Sequence, residues 1–252
     1  MPRTRPPAVP HGRPIEGDLP VAAVERALSI LGAFRSGDAL LSLGDLAERT
    51  GINKATILRL AATLQKHGYL NRTAVGDYRI GPAPLALATM FQRATQPAEL
   101  VLPSLEQLVA QTGESASFHI TLNDNERLCL YRVDSRHAVR EHLRAGDVAP
   151  MDRGAAGRIL TRVDSAMPNN SDDLAIVTAG EVTPDVRTIA APVFDVAGRV
   201  AGAIAVSGPQ FRFTTEACEG ARPFLLTAAR DVTLRMGGDR SIFDYPPKGS
   251  SV

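Results

Sequence analysis

SLGDLAERTGINKATILRLAATLQKHGYLNRTAVGDYRI, residues 42–80, decides the fold of the N-terminal part of the chain. It reads as helix, tight turn, helix and a short two-stranded ribbon. That is the order of a winged helix-turn-helix, a module that sets one helix in a DNA major groove. Ser42 precedes Leu43, Leu46 and Ala47, with Asp45 three residues on. This is a variant capping box, in which the hydroxyl accepts an orphan amide of the first turn. Gly51 tolerates the left-handed conformation of a C-cap, and Ile52 is placed to plug the turn into the core. Asn53 can cap the next helix. There Ile57, Leu60, Ala61 and Leu64 recur at helical spacing and form a buried side. Asn53, Thr56 and Arg59 lie opposite, in the first two turns, where a recognition helix meets base edges. Arg59 can reach a guanine with two hydrogen bonds or a phosphate with one, while Lys54 and Thr56 suit phosphate. Gly68 ends the helix, Tyr69-Leu70 opens a strand, Gly76 permits the reversal, and Tyr78-Arg79-Ile80 returns. Arg72 and Arg79 can both reach backbone phosphate. The candidate DNA contacts are therefore Ser42, Asn53, Lys54, Thr56, Arg59, Arg72 and Arg79. The alternative for the same pattern is a protein-docking bundle whose cations are merely solvated.

Working outward, Val21–Phe34 predicts a helix whose Val24, Ala27, Leu28, Leu31 and Phe34 face a core. Residues 83–97 predict a linker helix with Leu85, Ala88, Met90 and Phe91 on its apolar side, closed by Pro97. Beyond it, Leu100–Gln111 is amphipathic, with Leu102, Leu105, Leu108 and Val109 inward. Ser115–Leu122 and Arg127–Val133 predict strands joined by Asn123-Asp124-Asn125, and Val139–Arg144 a third. Gly154–Val163 predicts a short helix, Thr188–Phe194 and Arg199–Ser207 two further strands, and Thr214–Met236 a last helix kinked or interrupted at Pro223. Strands in the middle with helices at both ends predict an α+β unit with its sheet covered on one face. The expected organisation is a disordered tail (1–18), a winged helix-turn-helix domain (19–81), a linker helix (82–98), an α+β domain (99–238) and a flexible tail (239–252).

Composition sets the class. At 252 residues and 44% apolar, the chain supports two modest domains with real cores. It has no apolar run of the roughly 18 residues that a membrane span needs, and its arginine-bearing start lacks the apolar segment of a secretory signal. Its two cysteines, Cys129 and Cys218, are too few for a disulfide framework or a metal knuckle. These features predict a cytoplasmic protein. The net charge of +1 is uneven: residues 1–80 hold 11 Lys and Arg against 7 Asp and Glu, and the remainder 17 against 20. A head at +4 and a body at −3 fit a DNA-facing end and a body that avoids DNA. Because one such head binds weakly, two on a dimer are expected.

These residues resemble the IclR family of bacterial transcription regulators. The likeness is carried by VERALSILGAF (24–34), the helix-turn-helix of residues 43–70, YRIGPAPLALA (78–88), AAGRIL (155–160), residues 178–209 through IAAPVFD and SGP, and AARDVTLRMGG (228–238). The resemblance implies a dimeric or tetrameric regulator with a GAF-like sensor domain, recognising a double-stranded, pseudopalindromic operator and a small effector such as an organic or aromatic acid. It places effector contacts at Ala155, Ala156, Thr188, Ala205 and Ser207, with Gly157 beside them. Two of these have no polar side-chain group. From the residues themselves, RGAAGR (153–158) joins small side chains to a helix start, whose amides can meet an anion; close helix–sheet packing explains it equally well. The segment 164–177 is shorter than the family's and lacks its long helical pattern, which implies a pocket without that wall.

No nucleophile elbow, Walker loop or HExxH occurs, so no enzyme is expected. His119, His137 and His142 flank the predicted sheet near Cys129 and could make a zinc site, but three histidines on different strands more often stand independently. Neither metal nor cofactor is expected. The rival readings are a constitutive DNA-binding regulator whose second domain only dimerises, and a docking module or enzyme without specific DNA.

Overall fold

The capping box at Ser42 is formed from both sides: Ser42 Oγ accepts the Asp45 amide at 3.1 Å, and Asp45 accepts the Ser42 amide at 2.8 Å. It starts helix α2 (Leu43–Thr50), which ends at Gly51 in the left-handed conformation. Asn53 caps α3 (Lys54–Lys66), and the ribbon follows as β1 (Leu70–Arg72) and β2 (Tyr78–Ile80). Leu41 extends the ribbon by pairing with Tyr78. The computed structural model describes residues 20–35, 37–95, 97–161 and 171–244, and the chain divides after Phe91 into two compact units. The expected N-terminal tail lies outside the described residues.

Helix α1 (Ala22–Gly32) forms as expected but turns a different side inward. Ile30 and Ala33 are buried and Leu31 and Phe34 partly so, whereas Val24 is 55% and Leu28 60% exposed. The helix carries apolar residues on most of its circumference, so periodicity alone selects no single face. Ile30 packs with Leu46, Ile57, Ala61, Leu70 and Tyr78 to make the head's core. Arg49 ties the connection down, pairing with Asp38 and donating to Ala33 O. After the ribbon, a Cβ on Gly81 would run into the Gly68 backbone, so the chain leaves the wing in close contact with its base. Helix α4 (Ala83–Thr95) then begins, with Leu85, Leu87, Met90 and Phe91 exposed. Pro97 opens α5 (Pro97–Thr112) rather than closing α4, a position where its missing amide is not needed.

The second unit is one antiparallel sheet of six strands in the order β5-β4-β3-β8-β7-β6. Its strands are β3 (Ser115–Thr121), β4 (Glu126–Val133), β5 (Val148–Pro150), β6 (Ile176–Ala179), β7 (Val186–Phe194) and β8 (Val200–Pro209). Helix α5 and the long α7 (Thr215–Arg235) cover one face, where Val101, Leu105, Leu108, Leu225 and Val232 meet Phe118, Ile189, Ile204 and Val206. The other face is not bare: short α6 (Ala155–Leu160) packs Ala155, Ala156 and Ile159 on Ala190, Ala203 and Ala205. Helix α7 runs without interruption across Pro223.

The strand expected at Val139–Arg144 is irregular chain, and the edge of β4 is taken instead by Gly146–Asp147 and β5. The preceding loop is held by side chains rather than by a ladder. Ser135 Oγ donates to Gly113 O at 2.6 Å, and the Glu141 carbonyl accepts from Arg132 at 3.2 Å. Residues 164–170 of the shortened segment lie outside the described residues, but its end supplies the start of the edge strand β6. The tail expected from 239 begins with a 3₁₀ turn (Ser241–Phe243) whose Phe243 packs edge-on against Phe194 at 6.1 Å.

Removing Ile30's side chain with Ile30→Ala is expected to destabilise the head by about 2–5 kcal/mol. Gly81→Ala should cost at least about 1 kcal/mol through its clash with Gly68, while Val75→Ala at the wing tip should stay within about 0.5 kcal/mol. Urea denaturation followed by circular dichroism checks all three.

Candidate functional site

Two of the seven DNA candidates hold helix starts. Ser42 caps α2, and Asn53 Oδ1 accepts the Thr56 amide at 2.9 Å to cap α3. Arg72 braces the wing: its Nε donates to Gly76 O at 3.1 Å and its guanidinium lies over the Tyr78 ring at 5.4 Å. Lys54, Arg59 and Arg79 are exposed, and within the described residues their side chains make no hydrogen bond or ion pair. Thr56 is half-buried between them. Leu58 and Ala55, which were not singled out from the sequence, are exposed on the same helix. The signal was their place outside the buried stripe of Ile57, Leu60, Ala61 and Leu64.

In the second unit, a cavity of about 40 Å³ lies on the α6 side of the sheet. Of the effector candidates, Ala155, Ala156, Thr188 and Ser207 line it. Gly157 and Ala205 serve packing. A Cβ on Gly157 would run into Met151 O, and Ala205 sits in the small-residue contact under α6. Two amides at the start of α6, expected to be open to an anion, are engaged by side chains. The Gly154 amide donates to Glu181 at 2.9 Å, the Ala155 amide donates to Thr178 Oγ1 at 3.0 Å, and Arg158 pairs with Glu181 at 2.6 Å. The Ser207 hydroxyl is engaged too, donating to Glu141 at 2.6 Å, and Glu141 also pairs with Arg132 at 3.4 Å.

The polar wall comes largely from residues the sequence reading passed over: Ser117, His119, Arg127, Glu141, Thr178 and Glu181. For Ser117 and His119 the signal was the alternation of Ser115-Ala116-Ser117-Phe118-His119-Ile120-Thr121, which puts hydroxyls and the imidazole on one face of β3 and apolar groups on the other. His119 and Arg127 are each only 4% exposed. Ser117 Oγ meets His119 Nε2 at 3.0 Å. Arg127 Nη1 donates to Pro150 O and to Arg153 O, the latter at 3.0 Å. Among the described residues, His119 Nδ1 and Arg127 Nε have no partner. Burial, reinforced by the charges of Arg127 and Arg132, pushes the His119 pKa down to about 3, so the ring is neutral at pH 7. Burial also lowers the pKa of Arg127.

His137 lies apart, on a shallower groove with Arg212 and Phe224, and His142 is exposed. Among the described residues no three His, Cys, Asp or Glu side chains come together to hold a metal. Cys129 and Cys218 are buried, with thiol pKa values pushed up to about 12 and about 11 by that burial.

A depressed histidine makes folding favour the unprotonated ring. Its stabilisation is full above the unfolded value of 6.5 and is lost as pH falls toward 3. Wild type should therefore lose on the order of 2 kcal/mol between pH 6.5 and 5 from this group alone. His119→Gln should flatten that part of the stability–pH curve, as measured by urea titrations at half-unit steps.

The sequence matches the IclR helix-turn-helix domain over residues 23–74 and the C-terminal domain of bacterial IclR transcriptional regulators over residues 174–234. It is 27% identical over 248 residues to the transcriptional regulator BhcR of Paracoccus denitrificans, covering 86% of this chain and 88% of that protein. Among solved structures, an IclR-type regulator from Alicyclobacillus acidocaldarius superposes with a TM-score of 0.73 at 23% identity, covering 87% of this chain and all of that one. An IclR homologue from Microbacterium hydrocarbonoxydans, solved with 4-hydroxybenzoate, superposes with a TM-score of 0.68 at 19% identity, covering 85% and 99%. With both domains matched in order on the shared fold, the chain belongs to the IclR family, whose members are DNA-binding transcriptional regulators and not enzymes.

Proposed function

We propose that this regulator binds a pseudopalindromic operator as a dimer or a dimer of dimers, and that its second domain responds to a small organic acid in the cytoplasm. The observation that carries the DNA reading is the set of outward cations on the head. Lys54 and Arg59 on α3 and Arg79 on the wing are exposed and without an internal partner, while the residues between them are held by caps and by Arg72. In this reading Arg59 meets a base edge or a phosphate, Lys54, Thr56 and Arg79 meet phosphates, and Leu58 supplies an apolar contact for a thymine methyl. Ser42, Asn53 and Arg72 act by shaping the surface that carries these groups.

Self-association is supported by apolar surface that a single chain leaves open: Val24 and Leu28 on α1, and Leu85, Leu87 and Met90 on α4. Symmetry would then put two heads on half-sites about one helical turn, or a multiple, apart. The domain boundaries proposed are 19–81 for the head, 82–98 for the linker helix and 99–238 for the sensor. No helix among the described residues is long and apolar enough to cross a membrane. Sensing is supported by the cavity, with its orphan polar atoms, and by the 4-hydroxybenzoate carried by the Microbacterium homologue. The second domain as a mere dimerisation body would not require those atoms.

Fluorescence anisotropy with the DNA upstream of its own gene tests the first half. Arg59→Ala should weaken specific binding by about 1–3 kcal/mol if it reads a base, whereas Arg79→Ala should weaken all sequences alike and lower the salt slope by about one. Unchanged affinity in Arg59→Ala, with the fold intact, would remove Arg59 from the interface. Light scattering at micromolar concentration should give a dimer or tetramer. A monomer that tightly footprints a single half-site would overturn the assembly.

A further inference from the structure

The stretch 134–147 joins β4 to β5 as an irregular strap, and its Glu141 and Leu143 line the cavity. The strap is fastened upstream of Glu141 at two places. Ser135 Oγ donates to Gly113 O at 2.6 Å, and its amide donates to Ser115 Oγ at 3.0 Å. Arg212, itself paired with buried Glu114, donates to Val139 O at 3.1 Å. Between exposed Arg140 and His142, Glu141 turns inward, its side chain only 10% exposed. Its carboxylate accepts from Ser207 Oγ at 2.6 Å and from Thr183 Oγ1 at 3.4 Å, and pairs at 3.4 Å with Arg132, whose side chain is 3% exposed.

A glutamate on a surface strap can stand in water at no cost. This one is desolvated instead, and two hydroxyls and a guanidinium offset that cost. The hydroxyls come from positions 42 and 66 residues further along the chain, so no local turn requires the contact. The Glu141 charge also partly offsets the burial that lowers the Arg127 pKa on the same cavity. Convergence of distant hydroxyls and cations on one buried carboxylate is how a site holds an acid, and here the chain supplies the acid itself. The space left beside it, about 40 Å³, has room for a few waters but is far below the roughly 150 Å³ that takes a benzene ring. With Glu141 in place, an organic acid finds both its volume and its hydrogen bonds taken.

We propose that Glu141 is a tethered carboxylate ligand of this cavity, and that an acidic effector enters only by exchanging with it. The second half rests on the sensing reading; the first half stands without it. A group held by the chain competes at a high effective concentration, so the exchange sets a threshold below which free acids leave the protein unaffected.

Thermal denaturation of the full chain at constant ionic strength tests the first half. Glu141→Ala removes a CH₂–COO⁻ group, and acetate supplies the same set of heavy atoms. Acetate should raise the melting temperature of Glu141→Ala by at least about 2 °C and move wild type by less than about 0.5 °C, since only a protein with an open site gains stability from a ligand. Acetamide, of the same shape without the charge, should move neither. Glu141→Gln keeps the space filled, so acetate should leave it unmoved too. Asp134→Ala, which takes from Arg132 its carboxylate outside the cavity, should respond as wild type does. If Glu141→Ala is unfolded at rest, refolding from urea in acetate or in chloride gives the same reading: recovery in acetate alone supports the proposal, and recovery in neither overturns it. Equal shifts in wild type and Glu141→Ala, or equal shifts in acetate and acetamide, overturn it as well.

Isothermal titration tests the exchange: acetate should bind wild type at least about tenfold more weakly than Glu141→Ala. Operator binding on the same preparations keeps the two readings apart. If acetate stabilises Glu141→Ala while neither acetate nor 4-hydroxybenzoate alters operator binding by either protein, Glu141 is the cavity's ligand and the sensing reading loses its support. If either acid alters operator binding by wild type while acetate leaves Glu141→Ala unmoved, the sensing reading stands and this proposal is overturned.

Discussion

Strand β8 lies between β3 and β7, and its alternation assigns every neighbouring side chain to one of two faces. Ile204 and Val206 point to the helices α5 and α7; Ala203, Ala205 and Ser207 point the other way. A slip of one residue would put the hydroxyl into the apolar core and the branched chains under α6, so the register is strongly specified. The same constraint passes to the neighbours: Ser117 is opposite Ala205, and Thr188 opposite Ser207. Small residues beneath α6 let the helix approach closely. Where they give way to Ser207, Thr188 and Ser117, a cavity opens. The cavity is thus a consequence of where alanine ends and hydroxyl begins along three adjacent strands.

The head follows a different rule. Its core is modest, and short-range side-chain bonds fix its helix ends: the Ser42–Asp45 box, the Asn53 cap, and Arg49 on Asp38 and Ala33. Arg72 on Tyr78 and Gly76 fixes the wing turn in the same way. Rigid supports of this kind leave Lys54, Arg59 and Arg79 at defined positions without internal partners. For recognition of a rigid duplex, that reduces the ordering cost of binding.

What could be read from the sequence tracks how local its cause is. The helix-turn-helix, its caps and the buried stripe of α3 were legible because each depends on residues three or four apart. The inward face of α1 was not, because apolar groups at Val24, Leu28, Ile30 and Leu31 surround the helix, and the choice between them is made by α2 and α3. The segment VREHLR, residues 139–144, alternates like a strand, yet β4 already has its edge partners in Gly146–Asp147 and β5. Of the cavity lining, only Ala155, Ala156, Thr188 and Ser207 were legible. Glu141, Glu181 and Arg127 were hidden, since a charged residue in a loop or at the start of a strand looks solvated until its distant partners are known. Arg127 depends on carbonyls at 150 and 153, and Glu141 on a hydroxyl at 207.

Ion pairs recur within each of the two units although they differ in fold. Among the described residues, Arg212 is matched by buried Glu114, Arg199 by Asp195 and Arg158 by Glu181, whereas Arg187 and Arg235 bond to backbone carbonyls. The cations without a carboxylate differ in burial. Those on the head are exposed, where lack of a partner costs little and water serves until phosphate replaces it. Arg127 is buried, where lack of a partner is destabilising. The head can therefore hold its cations outward at little cost, whereas Arg127 is tolerated inside the second unit only because the carbonyls of Pro150 and Arg153 accept from it, which ties the turn before α6 to β4.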